Sequence, residues 1–158
     1  MGKPLTETFK FIEILFFLRL RTMVTTMKEY SIVRLKGNKI EFPEEVFKAL
    51  ELEKCEYVLI ETDPDDKEAV ISPLAAKGSD LVEINSIVKN IPGASAKVDL
   101  FLGENLINIL YNEGEMIDDN KSTNVRLVDI SKSKLTVEDI KKHLKDSDVV
   151  EEFEVLKI

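Results

Sequence analysis

Apolar and polar positions alternate through Tyr30-Ser31-Ile32-Val33-Arg34-Leu35, a β-branched run that predicts a strand. The next residues, Lys36-Gly37-Asn38-Lys39, tolerate positive φ, so a tight hairpin is expected to return through a short strand over 40–42. Pro43 suits the first helical position, and Glu44 and Glu45 then fall in a first turn whose dipole favours carboxylates. Val46, Phe47 and Leu50 are expected to bury one side of that helix. Strands over 57–62 and 68–72 flank Asp63-Pro64-Asp65-Asp66, a turn with proline pre-set at its second position. The order is ribbon, helix, ribbon.

A second pattern begins near residue 68. Asp80-Leu81-Val82-Glu83 has the spelling of a capped helix start, and Leu81, Ile84, Val88 and Ile91 recur at helical spacing until Pro92-Gly93. The periodicity predicts strands over 94–102, 106–111 and 124–130. A helix capped by Thr136 follows, with Val137, Ile140 and Leu144 inward, and a closing strand over 152–155. The fold class is α+β, with β-α-β-β-α-β order in this half. Strand-like segments exceed four by one, so either 106–111 or 124–130 is expected as an insertion. If the strand over 69–74 serves both halves, the two are fused through it without a linker.

Composition bounds what such a chain does. Its 158 residues, 44% hydrophobic and 33% charged, fit a folded chain of one ordinary domain or two small ones, and small ones favour dimerisation. A formal charge of −8 weighs against coating nucleic acid by charge alone, so any DNA contact is expected to be local. From Met27 to Ala75, seven Lys and Arg face twelve Asp and Glu, yet Lys28 to Lys39 is locally positive. A single cysteine, Cys55, excludes an internal disulfide and reads as a small core residue. The cytoplasm is the expected compartment, and no membrane partner is expected. The apolar block over residues 9–20 holds Lys10 and Glu13 and is too short and too charged to span a bilayer. Three readings of it stand: a helix docked on the body, a surface-seeking anchor, or residues ahead of a start at Met23 or Met27.

Gly37 to Pro43, the helix after Pro43 and the spacing to the strand at Tyr57 resemble the SpoVT/AbrB family of swapped-hairpin domains over residues 28–74. The resemblance implies a homodimer of interleaved hairpins that contacts DNA through Arg34, Lys36, Lys39 and Lys48. Residues 1–27 would then be an extension. The order of elements and the loop at Gly78 make residues 68–158 similar to the ACT domain, a ferredoxin-like regulatory fold. This resemblance implies that a glycine between the first strand and first helix lets the loop close on an amino-acid effector where two domains meet. Lys77, Gly78, Ser79, Asp80 and Leu81 are the expected ligand site, because free amides at a helix start receive carboxylates. Asp80 would meet the effector's ammonium or serve as a plain helix cap.

Catalysis is not expected. His143, the one histidine, lies between Lys142 and Leu144 without a nucleophile implied by spacing, and reads as solvated surface. Glu113-Gly114-Glu115-Met116-Ile117-Asp118-Asp119 lacks the alternation of a calcium loop, so no metal and no cofactor are expected. The expectation is an amino-acid-responsive transcriptional regulator, or else a sensor without a DNA role that regulates an amino-acid metabolic enzyme. An antitoxin-like protein is a third reading, and a C-terminal half that reads as folded speaks against it.

Overall fold

The computed structural model describes residues 31–158, so the expectations for the N-terminal block and for Tyr30 lie outside the described residues. The described residues fall into two units, divided between Pro43 and Glu44. The division falls inside the stretch that the sequence groups as 28–74.

In the first unit Gly37 takes a φ of 68°, and Lys36 and Lys39 exchange backbone hydrogen bonds of 3.4 and 3.3 Å. The expected turn is therefore present. The strands expected around it are not, since the described residues form a single bridge with no ladder beyond it. Ile32, Leu35 and Ile40 consequently stay 93%, 64% and 61% exposed.

The second unit opens with helix α1 (Glu44–Ala49) and a 3-10 turn (Leu52–Lys54). Val46 and Leu50 are half-buried, but Phe47 is exposed and α1 buries no residue completely, so the expected inward side is only partly realised. Strands β1 (Cys55–Asp63) and β2 (Glu68–Ala76) form an antiparallel hairpin. Asp63 Oδ1 fixes its turn by accepting from the amides of Asp65 and Asp66 at 3.0 and 3.1 Å.

The remainder reads β3 (Leu81–Lys89), α2 (Ala94–Glu104), β4 (Asn108–Met116), β5 (Lys121–Asp129), α3 (Val137–Asp146) and β6 (Val150–Lys157). The four strands make one antiparallel sheet in the order β4-β5-β3-β6. Val82, Ile84, Val128 and Val155 on one sheet face form the core with Val98 and Leu102 of α2 and Ile140 and Leu144 of α3. Both helices therefore cover the same face.

This frame corrects several expectations. The segment 81–89 is a strand, not a helix, and 94–104 is a helix, not a strand. β2 pairs only with β1, so no strand is shared with the four-stranded sheet. Neither β4 nor β5 is an insertion, because both belong to the sheet. The expected α3 is present with its capping box: Asp139 N donates to Thr136 Oγ1 at 3.2 Å, and Thr136 N donates to Asp139 Oδ2 at 2.9 Å. Among the described residues no helix is long and apolar enough to cross a membrane.

Candidate functional site

The residues expected to hold an effector lie in the turn between β2 and β3, without a helix start. Gly78 has a φ of 85° and open space where a side chain would stand. Its amide donates to Glu56 Oε2 at 2.8 Å, and that of Asp80 to Asp129 Oδ1 at 3.0 Å. Lys77 N and Ser79 N reach the carbonyls of Lys54 and Ala76. Leu81 is buried and begins β3. Of the amides of Ser79 to Leu81, expected to receive a carboxylate, that of Asp80 thus holds a carboxylate of the chain itself, as does the neighbouring amide of Gly78. Asp80 serves as an ion-pair partner of Lys157 at 3.1 Å, not as the helix cap that the sequence suggested. Partial burial pushes the Asp129 carboxyl upward. Hydrogen bonds from the Ser131 and Asp80 amides outweigh it and hold the group below the usual carboxylate range.

In the observed frame, the turn between the first strand of the sheet and its first helix is Asn90-Ile91-Pro92-Gly93. Gly93, φ 85°, stands at the helix N-cap without a side-chain cap. Ala94 N reaches the Ile91 carbonyl, while the amides of Ser95 and Ala96 have no partner among the described residues. Asn90 anchors the turn by donating from Nδ2 to the carbonyls of Asp118 and Asp119 at 3.4 and 3.3 Å.

A polar cluster lies beneath that helix. Arg126, fully buried on β5, donates from Nε to Asp99 Oδ1 at 2.8 Å and from Nη2 to Ser95 Oγ at 2.5 Å. Its Nη1 reaches Ser86 Oγ at 3.4 Å. Ser95 Oγ donates in turn to Asn124 Oδ1 at 3.3 Å. Sequence reasoning missed this cluster. The available signal was an arginine set among Val125, Leu127 and Val128 in a run already read as a strand.

Of the expected DNA contacts, Arg34, Lys36 and Lys39 line one hollow of about 280 Å³ with Ile32, Val33, Glu41 and Pro43. Lys36 is paired with Glu41 at 3.2 Å. Lys48 belongs to the second unit, where it pairs with Glu44 one turn back on α1. Arg34 and Lys39 have no ion pair among the described residues.

A cleft of about 520 Å³ separates the β1–β2 hairpin from β4 and is lined by Ile60, Glu61, Asp63, Glu68, Tyr111 and Glu113 among others. Tyr111 donates its hydroxyl to Glu113 Oε2 at 2.7 Å. That bond, with some loss of water and the charges of Glu113 and Glu61, raises the phenol to about 12. His143 is exposed, as expected, and also stacks on Phe101 with ring centroids 3.5 Å apart. Cys55 is half-buried. Among the described residues, no group of three or more His, Cys, Asp or Glu is arranged to hold a metal ion.

No family model and no curated protein matches this chain.

Proposed function

We propose that the chain is an amino-acid-responsive regulatory protein. On this reading, β3 to β6 form a ferredoxin-like, ACT-type effector domain, and the AbrB-like segment ahead of it pairs with a second copy and contacts DNA. The supporting observation is the β-α-β-β-α-β order with sheet order β4-β5-β3-β6 and one glycine, Gly93, in the turn between first strand and first helix. The effector carboxylate is assigned to the amides of Ser95 and Ala96, with the Gly93 turn beside it. Lys77 to Leu81 are not assigned this role, because their turn is already filled by Glu56 and Asp129. Pairing with a second copy is supported by the exposed Ile32, Leu35 and Ile40, which a hairpin from a partner would cover.

Thermal shift against the common amino acids tests the effector assignment. A ligand selective for the native state at a hundred times its dissociation constant stabilises by about 2.7 kcal/mol. One amino acid is expected to raise Tm, and Gly93→Val, strained at positive φ, is expected to lose that response. No shift with any amino acid at millimolar concentration would end the effector reading.

A sensor without a DNA role is the second reading. The ion pairs Lys36–Glu41 and Lys48–Glu44 favour it, because they engage two of the four cations the DNA reading uses. Gel retardation at low salt separates the two readings. Retardation lost in the Arg34→Glu, Lys39→Glu double variant supports DNA contact, and none by the wild type supports the sensor.

A further inference from the structure

The first turn of α2 is spelled Gly93-Ala94-Ser95-Ala96. Glycine and alanine offer no side-chain acceptor, so Ser95 has the one hydroxyl able to bond the amides of its own turn, as serine does readily near helix starts. That hydroxyl is turned the other way. It accepts from Arg126 Nη2 at 2.5 Å and donates to Asn124 Oδ1 at 3.3 Å.

The surroundings are built for this orientation. Arg126 is fully buried and fixed by Asp99 on α2 and Ser86 on β3. Asn124 fits because its cross-strand neighbour on β4 is Gly114, where a Cβ would lie 3.0 Å from Asn124 Oδ1. Two side chains of β5 therefore meet on one serine oxygen, and Asp99 of α2, Ser86 of β3 and Gly114 of β4 set their positions. Joining a helix to a sheet does not require a buried guanidinium, since apolar side chains of similar volume often do so with equal or greater stability.

We propose that Arg126 is a positioning residue: with Asn124 it holds the Ser95 hydroxyl beneath α2 and so keeps the Ser95 and Ala96 amides uncapped. The purpose of an uncapped turn rests on the effector reading above, but the positioning does not.

Amide hydrogen exchange, resolved by NMR, tests the positioning in the full chain. Wild-type Ser95 and Ala96 are expected to exchange freely. Arg126→Met with Asp99→Leu removes both charges at once, which a buried site tolerates far better than removal of one. The released hydroxyl is then expected to slow exchange at one or both amides by roughly fivefold, the factor set by a typical net hydrogen bond. Adding Ser95→Ala to that pair is expected to restore free exchange, a rescue that a purely cohesive role for Arg126 would not give. A folded double variant with exchange as fast as wild type, or a triple variant that stays slow, overturns the proposal. Should the double variant fail to fold, Arg126→Lys carries the same readout, because one ammonium cannot serve Asp99, Ser86 and Ser95 together.

The same three proteins in the amino-acid thermal-shift assay separate the two ideas. Affinity lost in the double variant and recovered in the triple supports both. The expected exchange pattern with no amino-acid response in any of the proteins supports the positioning and overturns the effector reading. An amino-acid response that ignores these substitutions overturns the use of the turn.

Discussion

Three side chains report on local chemistry independently of any ligand. Thr136 closes both halves of the α3 capping box, and Thr136→Ala is expected to destabilise the protein by about 1 kcal/mol in denaturant unfolding. Asp129 has a depressed folded pKa, so its contribution to stability is present above the ordinary carboxylate range and is lost as pH falls through the lower folded value. Asp129→Asn is accordingly expected to flatten the acid limb of a Tm-against-pH curve. Tyr111 behaves in the opposite sense. Its phenol is raised to about 12, so tyrosinate absorbance should show one residue titrating there in the folded protein. Glu113→Gln should move that titration down, because the hydrogen bond to Glu113 is the largest cause. A titration unchanged by Glu113→Gln would contradict the assigned cause.

At the level of elements, α2 is joined to the sheet by aliphatic packing and by the Arg126–Asp99 pair. Asp99→Ala leaves a buried guanidinium without its carboxylate, and a loss of about 3–5 kcal/mol is expected in denaturant unfolding. The apolar pair Arg126→Met, Asp99→Leu is expected to cost much less. How far these elements were legible depends on where their buried faces lie. α3 was legible because Thr136 and Asp139 make a local cap, and Ile140 and Leu144 sit on one helical stripe. β1, β2 and their turn were legible because the Asp63 side chain bonds within its own turn. β3 was not. Burial alternates from Val82 to Val88, but Leu81 is buried as well and the inward position 86 is a serine, so the apolar residues alone do not alternate and Leu81, Ile84 and Val88 fall at helical spacing. Pro92-Gly93 then read as a helix stop, although it precedes a helix start, and Ala94 to Leu102 inherited the wrong state. The overall element order was expected for the right half of the chain but on the wrong segments. The turn before the first helix is accordingly expected at Gly78, whereas in the sheet it lies at Gly93. Arg126 stands out among apolar strand residues, but its pairing was not legible because its partner Asp99 sits on the helix whose pattern reads as a strand.

For the whole molecule, the described part of the first unit exposes Ile32, Leu35 and Ile40 around a turn with one bridge, an arrangement that a second chain would complete. Sedimentation equilibrium is expected to return a dimer, and Ile32→Asp with Ile40→Asp is expected to return a monomer with β3 to β6 still folded. A wild-type monomer at micromolar concentration would contradict the pairing. Effector binding at the start of α2 is tested by chemical-shift mapping of backbone amides during titration with the amino acid that raises Tm. The largest changes are expected on Gly93, Ser95 and Ala96. Changes confined to Gly78–Leu81, or none along the chain, would contradict it.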